Sequence, residues 1–138
     1  MISTTLAFMN YLDEKKVRYT YKPLEKSELI SVGYEGDNMK DMDFLFFFDK
    51  DGESVSVKCF SILQFAANDL ARGIVCSNKL NNKYRWVKFY IDEDNEAAAS
   101  IDAVITERTA GPVCFELLVR MLDIVDEAYL VYNGTESI

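Results

Sequence analysis

A chain of 138 residues with 49% hydrophobic and 28% charged content can bury a real core and carries no signature of disorder. Its 15 basic and 23 acidic residues leave a net charge of −8. That balance excludes general binding to nucleic acid or to an anionic membrane, because both need clustered positive charge. Histidine is absent, which removes the commonest general base, the commonest metal ligand and any Ser-His or Cys-His nucleophile pair.

The length fits one domain over residues 1–138. Cys59, Cys76 and Cys114 are odd in number and widely spaced, so they do not form a disulfide framework and read as small apolar core residues. No charged, apolar and cleavage-site sequence marks a signal peptide, and no apolar run nears the roughly 20 residues of a membrane span. The expected location is the cytoplasm, where the glycosylation-like Asn133-Gly134-Thr135 carries no meaning.

Taken in chain order, residues 3–16 predict a helix capped by Ser3 or Thr4, with Leu6, Met9 and Leu12 at helical spacing. Val17, Tyr19 and Tyr21 alternate with polar residues in a short extended segment that Pro23 ends. Residues 28–35 alternate again through Ile30, Val32 and Tyr34, and Gly36-Asp37-Asn38 is turn material. Residues 43–49 and 53–60 flank Lys50-Asp51-Gly52 and predict a β-hairpin. Two registers are open. A two-residue type I′ turn at Asp51-Gly52 sets Phe44, Phe46 and Phe48 with Val55, Val57 and Cys59. A three-residue loop with a bulge at Gly52 instead sets Leu45 and Phe47 on the valine face. The first is preferred, because it gathers more apolar surface on one side.

Residues 66–81 predict a second helix with Ala67, Leu70, Ile74 and Cys76 or Ser77 inward, weakened at Gly73. A strand follows over 84–91, with Val87, Phe89 and Ile91 on one side and Trp86, Lys88 and Tyr90 on the other. A turn at 92–95 leads to a return strand over 97–105, with Ala99, Ile101, Ala103 and Ile105 alternating. Gly111-Pro112 opens a last helix whose apolar stripe runs from Val113 through Leu117, Leu118, Met121, Leu122, Val125, Ala128 and Tyr129. Asn133-Gly134 closes it. The order α-β-β-β-α-β-β-α, with the 17–23 segment as an extra strand, predicts an α+β fold of helices on an antiparallel sheet.

The chemistry-bearing residues read as structural. Asp92, Asp94 and Glu96 begin like a calcium loop, but Ala97 stands where that loop needs Gly and Ala103 where it needs Glu, so they are turn residues. Asp49, Asp51 and Glu53 are likewise turn residues. No phosphate-binding glycine motif occurs. Cys114 near a helix start sits on the apolar stripe. Lys79, Lys83, Arg85 and Lys88, interleaved with Tyr84 and Trp86, suit an acidic peptide or a stacked nucleotide, with solvated charge as the plainer reading. No catalytic residue, metal or cofactor is expected.

The informative feature is apolar excess on the strands. The candidate interaction face is Phe47, Phe60, Trp86, Lys88 and Tyr90. Either helices cover that face or it is open; an open face implies a homodimer or a peptide partner.

Residues Trp86 to Asn95, the return strand carrying Asp102, and the helix running from Cys114-Phe115-Glu116-Leu117-Leu118 through Asp123, Ile124, Val125 and Asp126 resemble the YbjN family. These are small bacterial proteins often described as candidate sensory transduction regulators. Their domain is similar to type III secretion chaperones, an α+β sandwich of helices on a curved antiparallel sheet. The resemblance implies no catalytic residues. It implies a protein-binding or regulatory role and, for the chaperone relatives, dimers that hold an extended partner segment. The rival expectations are a small-ligand binder or carboxylate-based enzyme with a pocket under the sheet, and an effector or immunity-type protein.

Overall fold

The computed structural model describes all 138 residues. The elements are α1 (Ser3–Glu14), β1 (Thr20–Pro23), β2 (Ser27–Tyr34), β3 (Met42–Asp49), β4 (Ser54–Cys59), a single 3-10 turn (Ala67–Asp69), α2 (Leu70–Lys83), β5 (Lys88–Ile91), β6 (Ala97–Val104) and α3 (Ala110–Tyr132). The fold is α+β, and its six antiparallel strands lie in the order β1-β2-β3-β4-β6-β5. The early extended segment is therefore a true strand, β1. It pairs antiparallel with β2 from Thr20↔Ser31 to Pro23↔Glu28. Contacts divide the chain into two units: residues 1–33, 43–57 and 102–120 form one, and residues 34–42, 58–101 and 121–138 form the other.

The first unit is organised by β3. Phe44, Phe46 and Phe48 alternate with half-buried Leu45 and Phe47 and are themselves fully buried. The Phe8 ring of α1 lies 4.6 Å from Phe46 and 6.0 Å from Phe48, in the tilted geometry aromatic pairs prefer. Each such ring contributes about 1.5–3 kcal/mol by leaving water. Val55 and Val57 of β4 are buried as well, so the phenylalanine and valine faces are the buried ones, as the preferred register requires. The turn that achieves this differs from expectation. The loop has four residues, 50–53, with the Gly52 amide donating to the Asp49 carbonyl at 2.9 Å and Gly52 at φ +74°. Side chains close this wider loop: Asp51 accepts from the Glu53 amide at 2.8 Å, and the Ser54 hydroxyl donates to Asp49.

Neither Ser3 nor Thr4 caps α1. The N-cap is Ile2, and Thr4 and Thr5 are buried. The cap comes from β2 instead. Glu28 is only 9% exposed; its carboxylate accepts the Ile2 amide at 2.8 Å and the Tyr21 hydroxyl. Burial acts to raise the Glu28 pKa, but the hydrogen bonds from Tyr21 and Ile2 outweigh it and hold the carboxyl below its usual value. Helix α1 ends where Lys16 turns left-handed (φ 59°), with the Val17 amide bonding back to the Leu12 carbonyl and the Lys16 amide to that of Asp13. At the start of α3, Thr106 and Thr109 exchange amide-to-hydroxyl bonds of 2.8 and 3.2 Å. Gly111 follows because a Cβ there would lie 2.7 Å from Cδ2 of Tyr11.

In the second unit, the Gly36-Asp37-Asn38 turn is held from α3. Asp126 accepts the amides of Asn38 and Met39 at 3.0 and 2.9 Å and the Asn38 side-chain amide at 3.1 Å. Gly36 lets that carboxylate approach, since a Cβ would collide with Asp126 Oδ1 and would lie 2.6 Å from the Met39 carbonyl. Tyr132 is fully buried at the end of α3, with its ring 5.9 Å from Phe65 and 6.2 Å from Phe89. Its hydroxyl lies 2.6 Å from that of Ser77, which donates in turn to the Gly73 carbonyl. Burial pushes the phenol up to about 12 even though the Ser77 bond pulls it down. Helix α3 closes at Gly134 (φ +81°), as Asn133-Gly134 predicts.

All three cysteines are buried, and burial alone pushes the Cys114 thiol up to about 12. A thiol held there is protonated at neutral pH, consistent with a core role.

The buried Glu28 makes stability depend on acid in a defined direction. Its folded pKa lies below the unfolded value near 4.5, so its contribution is complete above that value and is lost as pH falls through the folded pKa. Glu28→Gln should lower stability by about 1–2 kcal/mol at pH 7, and the gap should narrow as pH falls below the unfolded value in urea titrations of the two proteins. Gly111→Ala should cost about 1–3 kcal/mol by overpacking against Tyr11, read as a lower denaturation midpoint at unchanged slope.

Candidate protein-interaction surface

The sequence places Trp86, Lys88 and Tyr90 on one face of a strand over 84–91. The strand begins only at Lys88. Trp86 instead sits at the centre of a three-residue turn, at φ 80°, with the Val87 amide bonding the Arg85 carbonyl at 3.0 Å. A bulky side chain at positive φ is strained backbone, held here by its surroundings. Trp86 is 59% exposed, and the Arg85 guanidinium lies over its ring at 5.9 Å. Lys88 is exposed and Tyr90 half-buried on β5, and Phe60, just after β4, is 38% exposed. These four belong to the second unit, and Phe47, half-buried on β3, to the first.

Helix α2 is rotated from its expected phase. Gly73, Cys76, Ser77 and Leu80 are its buried residues, and Ile74, expected inward, is 55% exposed beside Val75 at 53%. The sequence held a signal for this. Ile74, Val75 and Cys76 are consecutive, so they fan around a helix and cannot all reach one core.

Helix α2 and β5 pack together, and Asn81 fixes the contact. Its side chain accepts the Phe89 amide at 2.7 Å and donates to the Phe89 carbonyl at 2.9 Å. This is the pairing a neighbouring strand would supply, so Asn81 closes the outer edge of β5 at Phe89. Between the two elements lies an open groove of about 410 Å³, lined by Leu70, Ile74, Ser77, Asn78, Asn81, Phe89, Tyr90, Ile91, Asp92 and Asn95. Asn81 carried no sequence signal, because its role depends on a backbone edge eight residues away.

At one end of β5 the turn carries Asp92, Asp94 and Glu96, whose carboxylate oxygens lie within 4.8 Å of one another. The turn reading holds in detail: Asp92 Oδ1 accepts the amides of Asp94 and Glu96 at 2.9 and 3.0 Å, and Asn95 adopts φ 60°. The segment 62–65 pins the same turn, with Gln64 donating to the Asp94 carbonyl at 2.8 Å and the Phe65 amide bonding the Asn95 carbonyl at 2.9 Å. Beyond it β6 is buried on both faces from Ala97 to Ile101, where strict alternation was expected, because short Ala and Ser side chains let neighbours close in on either side.

The basic stretch is as open as its plainer reading requires. Lys79, Lys83, Arg85 and Lys88 are all exposed, with Lys83 over the Tyr84 ring at 5.1 Å. The Tyr84 hydroxyl donates to Glu127 at 2.6 Å, and burial first, then that bond, raises its pKa. No helix is long and apolar enough to cross a membrane.

Helices set against a six-stranded antiparallel sheet in this order define an α+β fold. Among solved structures, the chain is similar to YbjN from E. coli, described as a proposed transcription regulator. The TM-score is 0.60 at 12% identity, over 96% of this chain and 91% of that one. At that identity the likeness establishes a YbjN-like fold, in line with the family resemblance read from the sequence. No protein-family description matches the sequence, and no curated protein does.

Asn81→Ala should leave the Phe89 amide and carbonyl unpaired at the sheet edge. The expected cost is about 1–3 kcal/mol, with a concentration-dependent shift to larger species on gel filtration as the edge opens.

Proposed function

We propose that this protein is a non-catalytic, cytoplasmic, protein-binding or regulatory module that engages a protein or peptide partner and works as a homodimer. The observation that carries the reading is the exposure of Ile74, Val75 and Trp86 within one unit of an otherwise acidic, well-packed chain. Large apolar side chains grouped outside a core mark interaction surfaces, and Trp is the residue type most often found as a binding anchor. The YbjN-like fold supports the same reading, since the similar structure is itself described as a proposed regulator. The proposed contact residues are Phe60, Trp86, Lys88 and Tyr90 in one unit and Phe47 in the other.

Light scattering on the pure protein should give twice the mass of a 15.8 kDa chain, and Trp86→Ala combined with Val75→Lys should weaken association or partner capture at least about tenfold. A monodisperse monomer that binds neither hydrophobic dye nor peptides would sink this reading. A thermal shift with a metabolite panel would favour the small-ligand alternative.

A further inference from the structure

Resting on that protein-binding reading, we infer that the groove between α2 and β5 receives a basic amphipathic helix of a partner protein. Its apolar side chains seat on Leu70, Ile74 and Ile91, and a Lys or Arg meets the carboxylates of the 92–96 turn.

Two properties of the groove select this occupant. The first is charge. Four acidic residues fall within 92–96, and no Lys or Arg occurs between Lys88 and Arg108 in the sequence. Three of the carboxylates are gathered within 4.8 Å, and Asp92 and Asn95 line the groove itself. The turn is held from both sides by backbone and Gln64 bonds, so this negative field is fixed in place before a partner arrives. Fixed charge beside apolar surface discriminates by sign: a cationic segment is drawn in and an acidic one is repelled.

The second is the closed edge. An extended peptide adds to a sheet through unpaired backbone groups, and at Phe89 Asn81 already holds both the amide and the carbonyl. At that position what remains for a partner is side-chain surface. A helix supplies this, with apolar residues three and four positions apart and a basic residue flanking them. Ile74, 55% exposed on the groove wall, is the anchor point.

The test uses the full chain and a fluorescein-labelled 14-residue peptide of Ala, Leu and Arg with leucines at helical spacing, beside the same peptide with Glu for Arg. Fluorescence anisotropy should show binding of the Arg peptide, loss of binding with the Glu peptide, and weakening as salt rises. Ile74→Asp should reduce affinity at least about tenfold, and so should the combined D92N, D94N and E96Q variant, which keeps the oxygen that Asp92 offers to the turn. Circular dichroism melts confirm that each variant is folded, and amide chemical-shift changes should centre on Ile74, Ile91 and Asn95.

Equal binding of the two peptides, wild-type affinity in both variants, or shifts centred elsewhere would overturn the inference. No binding of either peptide to the wild-type chain would overturn it too. Association or partner capture that survives in the Ile74→Asp protein would leave the protein-binding reading standing and remove only the groove as its site.

Discussion

The alternate burial of Phe44, Phe46 and Phe48 on β3, with Phe8 laid across the last two, is the constraint on which the first unit depends. Three large rings on one strand face leave that strand a single acceptable register, because a slip of one residue exchanges them for Leu45 and Phe47. The loop to β4 then adapts to the register. It widens to four residues and recruits Asp49, Asp51 and Ser54 to satisfy its own backbone.

Polar side chains do a different task. Glu28, Asp126 and Asn81 each pair backbone groups that no regular element supplies: the start of α1, the 36–39 turn and the outer edge of β5. In each case a partly or wholly sequestered amide would otherwise lose its water without replacement, a cost of the same order as a lost hydrogen bond. The acid sensitivity expected of Glu28 is one face of this arrangement. The pairing of Phe89 at the outer edge of β5 is another.

Most of the fold was legible in the residues. Helices α1 and α3 follow from apolar spacing, the β3–β4 hairpin from alternation around Asp51-Gly52, and the end of α3 from Asn133-Gly134. The acidic residues fall at turns and the cysteines in the core, as their local sequence predicts. The candidate interaction residues were legible only in part. Trp86 and Ile74 were both recognised as apolar, yet one was set on a strand it does not join and the other in a core it does not enter. A strand start and a helix phase depend on what packs against the element, and propensity is too weak to decide either.

The sequence by itself determined the fold class, the order of elements, the core of β3 and the absence of any histidine-based chemistry. These rest on periodicity and residue type, which act between near neighbours. The tertiary structure decided the rest: that Glu28 starts α1, that Asn81 pairs the edge of β5 at Phe89, that α2 turns Ile74 outward, and that a pinned acidic turn borders the groove this leaves. Each of these joins residues far apart in the chain or depends on which of several apolar side chains a finite core can hold. Only the packed structure can make that choice.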